Sequence, residues 1–101
     1  MSFASAAAIK KSLLKPSTIL VDVRTGLEAW ISGKIEVEGH KTYQSSFVSS
    51  LNTAEWDKDT DIIVYCASGG RSAGAKSTLE GLGSKTVLNG GGYSDMKSMG
   101  L

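Results

Sequence analysis

Cys66 is the one cysteine of this chain, and the residues around it suit a reactive sulfur. Asp61-Ile62-Ile63-Val64-Tyr65 reads as a buried strand, and Ala73 to Gly81 reads as a helix. Between them lies the short segment Cys66-Ala67-Ser68-Gly69-Gly70-Arg71-Ser72. A strand that passes through a tight glycine-rich loop into a helix N-terminus forms an anion site. Its backbone N–H groups point inward and the helix dipole adds positive potential. A thiol at the mouth of such a nest has its pKa lowered toward the thiolate. Arg71 adds a charge that stays protonated. Its position at the end of the loop predicts a cradle role, with hydrogen bonds to loop carbonyls. Ser68 and Ser72 are candidates to donate hydroxyl hydrogen bonds to the sulfur, and Ser72 also to cap the helix. The chemistry expected is nucleophilic attack by Cys66 on an electrophile cradled by residues 67–72.

The elements that position this loop alternate along the chain. Ser5 to Leu14 has Ile9, Leu13 and Leu14 at helical spacing, and Pro16 stops that helix. Ile19 to Val23 is a short strand rich in β-branched residues. Thr25 and Glu28 form a capping-box pattern for a short helix carrying Leu27, Trp30 and Ile31, with Gly33 at its end. Lys34 to Gln44 reads poorly, and Ile35-Glu36-Val37-Glu38 within it fits either a strand or an extended loop. Ser45 or Ser46 to Leu51 predicts another short helix, Lys85 to Leu88 a strand, and Tyr93 to Met99 a last short helix. Gly90-Gly91-Gly92 lacks the Lys-Ser/Thr of a phosphate loop and reads as a turn that lets backbone pass near Cys66. Alternating strands and helices predict parallel β-α-β units with helices on both faces of the sheet. Ligands of such folds bind beyond the carboxyl ends of the strands, which is where Cys66 lies.

Length and composition narrow the classes. The length suits one domain over residues 1–101 around one core. A net charge of +1 carries no electrostatic footprint for nucleic acid. One cysteine excludes an intramolecular disulfide framework and a cysteine-based zinc site, so no metal is expected, nor any cofactor. No apolar run is long enough to span a bilayer. Met1 to Ala8 lacks the basic and apolar regions of a signal peptide. A cytoplasmic location is therefore expected for the chain as given, and a periplasmic one if it is a processed or trimmed form. Trp30 and Trp56 read as packing anchors, His40 as a solvated loop residue, and Glu28 as a cap.

The motifs resemble those of the rhodanese (sulfurtransferase) family. Cys66-x-x-Gly69-x-Arg71-Ser72 matches its active-site loop. Asp22-Val23-Arg24 is similar to its Asp-Val-Arg motif, Trp30-x-x-Gly33-Lys34-Ile35 to its aromatic-x-x-Gly-His-Ile signature, and Gly91-Gly92 to its closing glycine pair. The ending Asn89 to Met96 most resembles the small phage-shock-type members. Lys34 stands where the family usually has His, residues 39–43 replace its usual Gly-Ala-x-Asn-x-Pro stretch, and no Trp follows Gly92. The resemblance implies an α/β three-layer sandwich with a central, mostly parallel sheet flanked by helices. It implies Cys66 as the catalytic nucleophile, Ala67, Ser68, Gly69, Gly70, Arg71 and Ser72 as substrate-binding residues, and Asp22 as a structural residue near the site. Arg24 and Lys34 are accessory candidates for a sulfonate.

Four residues separate Cys66 from Arg71, one fewer than in the similar loop of tyrosine phosphatases and some arsenate reductases. The smaller cradle suits one extra sulfur on the cysteine. The expected activity is thiosulfate sulfurtransferase-type chemistry, in which sulfane sulfur passes from thiosulfate or a polysulfide through a Cys66 persulfide to cyanide or a thiol. The alternative is a persulfide carrier that delivers sulfur to an acceptor protein. Phosphatase or arsenate reductase chemistry is disfavoured by the loop length.

Overall fold

The computed structural model describes residues 3–51 and 53–101. Met1 and Ser2, and with them part of the signal-peptide reading of the first eight residues, lie outside the described residues. The chain runs α1 (Ala6–Leu13), β1 (Ile19–Asp22), α2 (Gly26–Ser32), β2 (Thr42–Gln44), two short 3-10 turns (Val48–Ser50 and Thr53–Glu55), β3 (Ile62–Cys66), α3 (Gly70–Gly81), β4 (Val87–Gly92) and α4 (Tyr93–Ser98). The four strands form one parallel sheet in the order β2-β1-β3-β4. The expected α/β architecture, a parallel sheet between layers of helix, is the one observed.

Burial explains the strand sequences. Every residue of β3 is buried, which is why Ile62-Ile63-Val64 carries no alternation. Its side chains divide between two cores. Val21, Ile62, Val64, Ala75, Leu79 and Val87 meet on the face covered by α3 and the first 3-10 turn. Ile9, Leu20, Ile35, Ile63, Tyr65 and Met96 meet on the other face, under α1 and α4. Strand order changes direction between β1 and β3, whose neighbours lie on opposite sides. The carboxyl ends of these two strands therefore frame the crevice where this type of sheet places a site.

Several local expectations need correction. Ile35–Glu38, left open between a strand and an extended loop, is a loop, and β2 lies later, at Thr42–Gln44. Ile35 is instead tied down by its own peptide groups. Its N–H donates to the Tyr65 hydroxyl at 3.0 Å, and its carbonyl accepts from Thr42 Oγ1 at 2.9 Å. The helix expected from Ser45 or Ser46 to Leu51 is only the turn Val48–Ser50. The helix after Cys66 begins at Gly70 rather than Ala73, and β4 runs on through Gly92 where a turn was expected. The Thr25–Glu28 capping box is present in full. No helix among the described residues is long and apolar enough to cross a membrane.

Candidate active site

Cys66 is the last residue of β3 and fully buried. Pairing with β4 slips just before it, from Val64 opposite Asn89 to Cys66 opposite Gly92. Such a bulge re-aims the strand end. It also brings the two chains so close that a Cβ on Gly92 would collide with the Ala67 carbonyl. Glycine is required there by space, so the reading of Gly92 as a point of close backbone approach holds. Gly69 turns the loop into α3 with φ 98°, a conformation that favours glycine.

The sulfur sits inside this turn. The Gly69 N–H donates to Cys66 Sγ at 2.8 Å, and the Cys66 thiol donates to Ser72 Oγ at 3.5 Å. Burial pushes the Cys66 thiol up, but the Ser72 hydroxyl and the backbone N–H groups of Ser72, Ser68 and Gly69 outweigh it, and the net direction is down. The loop thus favours the thiolate even without direct contact with water. Ala67, Ser68 and Gly70 are exposed above the buried sulfur. Ser68 acts through its backbone; its expected hydroxyl bond to sulfur is not formed. Ser72 does not cap α3, whose N-cap is Gly69 without a side-chain bond. It lies within the first turn, and its hydroxyl reaches the Gly69 carbonyl at 3.0 Å and Asn89 Oδ1 at 2.7 Å.

Arg71 departs from its expected cradle role. Arg71 is exposed in the first turn of α3, and its guanidinium is held by a carboxylate rather than by loop carbonyls. It forms a two-point ion pair with Glu28, with NH1 at 2.8 Å from Oε1 and NH2 at 2.9 Å from Oε2. Glu28 does more than cap. The same carboxylate accepts from Thr25 N–H and latches α2 to the Cys66 loop. Arg71 and these Thr25 bonds hold its pKa down at about 2.

Asp22 and Arg24 pair at the neighbouring strand end. Arg24 is 1% exposed, with Nε and NH2 on the Asp22 carboxylate and NH2 also donating to the Gly33 carbonyl at 2.7 Å. Its guanidinium lies 4.7 Å from the Tyr93 ring centroid. The accessory role considered for Arg24 does not match this placement, since its donors already face Asp22 and Gly33. Lys34 is exposed, and among the described residues no hydrogen bond or ion pair joins it to the Cys66 loop.

Other residues are placed differently from their sequence readings. Trp30, expected as an anchor, is 82% exposed beside exposed Leu27 and Ile31; α2 lies beyond the strand ends and buries only Ala29. Trp56 does pack, with its ring centroid 5.1 Å from that of Tyr43. His40 is only half-buried, but it is not a free loop residue. Its ring nitrogens lie 2.7 and 2.9 Å from the carbonyl oxygens of Thr18 and Leu13. Asp95 accepts from Gly92 N–H at 2.7 Å, a capping role next to the site. Asn89, absent from the sequence candidates, proves to be buried beside Ser72. From the sequence it follows the strand Lys85–Leu88, and nothing local marks it as a site residue. Among the described residues, no group of three or more His, Cys, Asp or Glu side chains is arranged to hold a metal ion.

Comparison with known proteins agrees with this arrangement. A rhodanese-like domain protein from Staphylococcus aureus superposes with a TM-score of 0.67 at 28% identity, covering 95% of this chain and 91% of its own. A Staphylococcus saprophyticus protein superposes with a TM-score of 0.65 at 25% identity, covering 95% and 93%. No curated protein matches the chain. The model of the rhodanese-like domain matches residues 5–99, nearly the whole of the fold described above, and the chain accordingly belongs to the rhodanese-like domain family.

Proposed function

We propose that the protein is a sulfurtransferase that carries sulfane sulfur as a persulfide on Cys66. Its family supports a sulfurtransferase-type function in general. The observation that carries the finer reading is the buried Cys66 sulfur receiving the Gly69 N–H at 2.8 Å, at the N-terminus of α3. In the first half-reaction the thiolate attacks the outer sulfur of thiosulfate or a polysulfide. The donor S–S bond breaks, and sulfite or a shorter polysulfide leaves with the electron pair. In the second, cyanide or a thiolate attacks the outer sulfur of the persulfide, and the Cys66 thiolate leaves. Backbone donors already aimed at the sulfur stabilise the charge that returns to it. With one cysteine, the acceptor comes from outside the chain.

Intact mass after incubation with thiosulfate, without reductant, tests this reading. Wild type gains one sulfur and Cys66→Ser gains none, and cyanide discharges the adduct as thiocyanate. A wild type that alkylates at Cys66 yet loads no sulfur from thiosulfate or polysulfide would refute it.

A second reading, delivery of sulfur to a protein thiol, is favoured by one observation. Leu27, Trp30 and Ile31 are exposed on α2, the helix that Glu28 and Arg71 latch to the loop. Stoichiometric loading with slow turnover on cyanide would favour this carrier role, and rapid turnover would favour the enzyme.

A further inference from the structure

Ser72 has one hydroxyl proton and more than one acceptor for it. Its Oγ lies 2.7 Å from Asn89 Oδ1, 3.0 Å from the Gly69 carbonyl and 3.5 Å from both Cys66 Sγ and the Gly91 carbonyl. The Gly69 carbonyl is already reached by Ala73 N–H at 3.2 Å and by Asn89 Nδ2 at 3.4 Å. The shortest bond, to Asn89, therefore marks where the proton rests. The direction of the Asn89 amide is fixed by chemistry. Gly91 N–H can only donate, and it lies 2.9 Å from the same oxygen. While Cys66 is a thiol, its S–H donates to Ser72 Oγ, and Ser72 O–H donates onward to Asn89 Oδ1.

This chain of donors fails once the Cys66 proton has gone to solvent, because a thiolate or persulfide sulfur cannot donate to Ser72. The Ser72 hydroxyl then has to turn about its Cβ–Oγ bond and donate to the sulfur. Asn89 Oδ1 is not orphaned by that turn, since it keeps the Gly91 N–H. We propose that Asn89 is a positioning residue that holds the Ser72 hydroxyl proton while Cys66 is a thiol and yields it to the sulfur when Cys66 is ionised or carries an outer sulfur. The inference rests on Cys66 acting as the nucleophile. The charged groups around this network are Arg71 on α3, paired with Glu28, Lys76 on α3, paired with Glu80 and lining one cavity with Asn89, the closed Asp22–Arg24 pair at the end of β1, and Asp95, which caps Gly92 opposite Cys66.

The pH profile of Cys66 alkylation tests the proposal, in a cycle of Asn89 variants with and without Ser72→Ala. Asn89→Ala releases the hydroxyl to the sulfur and moves the profile to lower pH. Asn89→Asp, nearly isosteric, holds the hydroxyl harder and adds negative charge, which moves the profile to higher pH. Each shift is expected at up to about one unit, the scale of one hydrogen bond to a charged group. In the Ser72→Ala background the Asn89→Ala shift disappears and the Asn89→Asp shift shrinks to the share of its charge. Equal shifts in both backgrounds, or shifts of one sign for both Asn89 variants, would overturn the proposal. If Asn89→Ala does not fold, Asn89→Asp in the two Ser72 backgrounds decides alone. Alkylation needs no sulfur transfer, so a failure of the Asn89 role is distinguishable from a failure of the proposed activity.

Discussion

Two arginine–carboxylate pairs flank the Cys66 loop, and they differ in where they sit. Asp22 and Arg24 close the end of β1 with a contact of 2.6 Å, and their side chains are 0% and 2% exposed. Glu28 and Arg71 join α2 to α3 with a contact of 2.8 Å, and theirs are 35% and 44% exposed. Both arginines present a two-point fork, so the geometry is similar while the surroundings are not. A buried charge that loses its partner stays in a medium that solvates it poorly, whereas an exposed one is rehydrated at once. The first pair is fixed scaffold. The second can open without leaving a charge unpaired in the interior.

The strongest way to break this contrast is to unpair the buried carboxylate. Arg24→Met should cost about 3–5 kcal/mol in urea unfolding, because Asp22 is left charged and buried. Replacing both partners by apolar residues should cost less than the single change. Arg71→Met should leave the urea midpoint near wild type, and an equal loss from both single variants would sink the distinction between the pairs.

Glycines sharpen the same division between the closed and open sides of the loop. Gly92→Ala drives a methyl into the Ala67 backbone, which cannot swing aside, and overpacking of this kind costs about 1–3 kcal/mol. Gly74, in the middle of α3, meets nothing within 4 Å. Gly74→Ala should stabilise by about 0.5–1 kcal/mol through helix propensity. Thermal unfolding of the two variants should shift in opposite directions.

Function should respond on the exposed side. Arg71→Ala should raise the thiosulfate KM several-fold with a smaller change in kcat, and Glu28→Gln should lower KM by freeing Arg71. Unchanged KM in both would remove Arg71 from donor binding. The smallest effect is on pH dependence. The Glu28 carboxyl is lowered from its ordinary 4.5 to about 2, so whatever stability the pair adds is complete above 4.5 and is lost as pH falls through 2. Acid titration of the urea midpoint should show this increment in wild type and not in Glu28→Gln.

How much of the molecule the sequence reveals depends on how local each feature is. Cys66, its Gly69-Gly70 turn and the helix after it are contiguous, so strand pattern, glycine spacing and helix start all lie within one short window. The Thr25–Glu28 box spans four residues and is legible for the same reason. The edge strand Thr42–Gln44 is only half-buried and is defined by its pairing with β1, so no period-2 signal marks it. Helical spacing put Trp30 on an apolar stripe, but α2 lies beyond the sheet and leaves most of that stripe uncovered.

The sequence by itself determined the alternation of elements, the parallel sheet and the loop that presents Cys66, since each follows from periodicity or from neighbours a few residues apart. Tertiary structure decided the partners. Arg71 meets a carboxylate 43 positions away, His40 a carbonyl 27 away, and Ser72 the Asn89 amide 17 away. Side-chain hydrogen bonds over such separations depend on how helices seat on the sheet, and no local pattern encodes that seating.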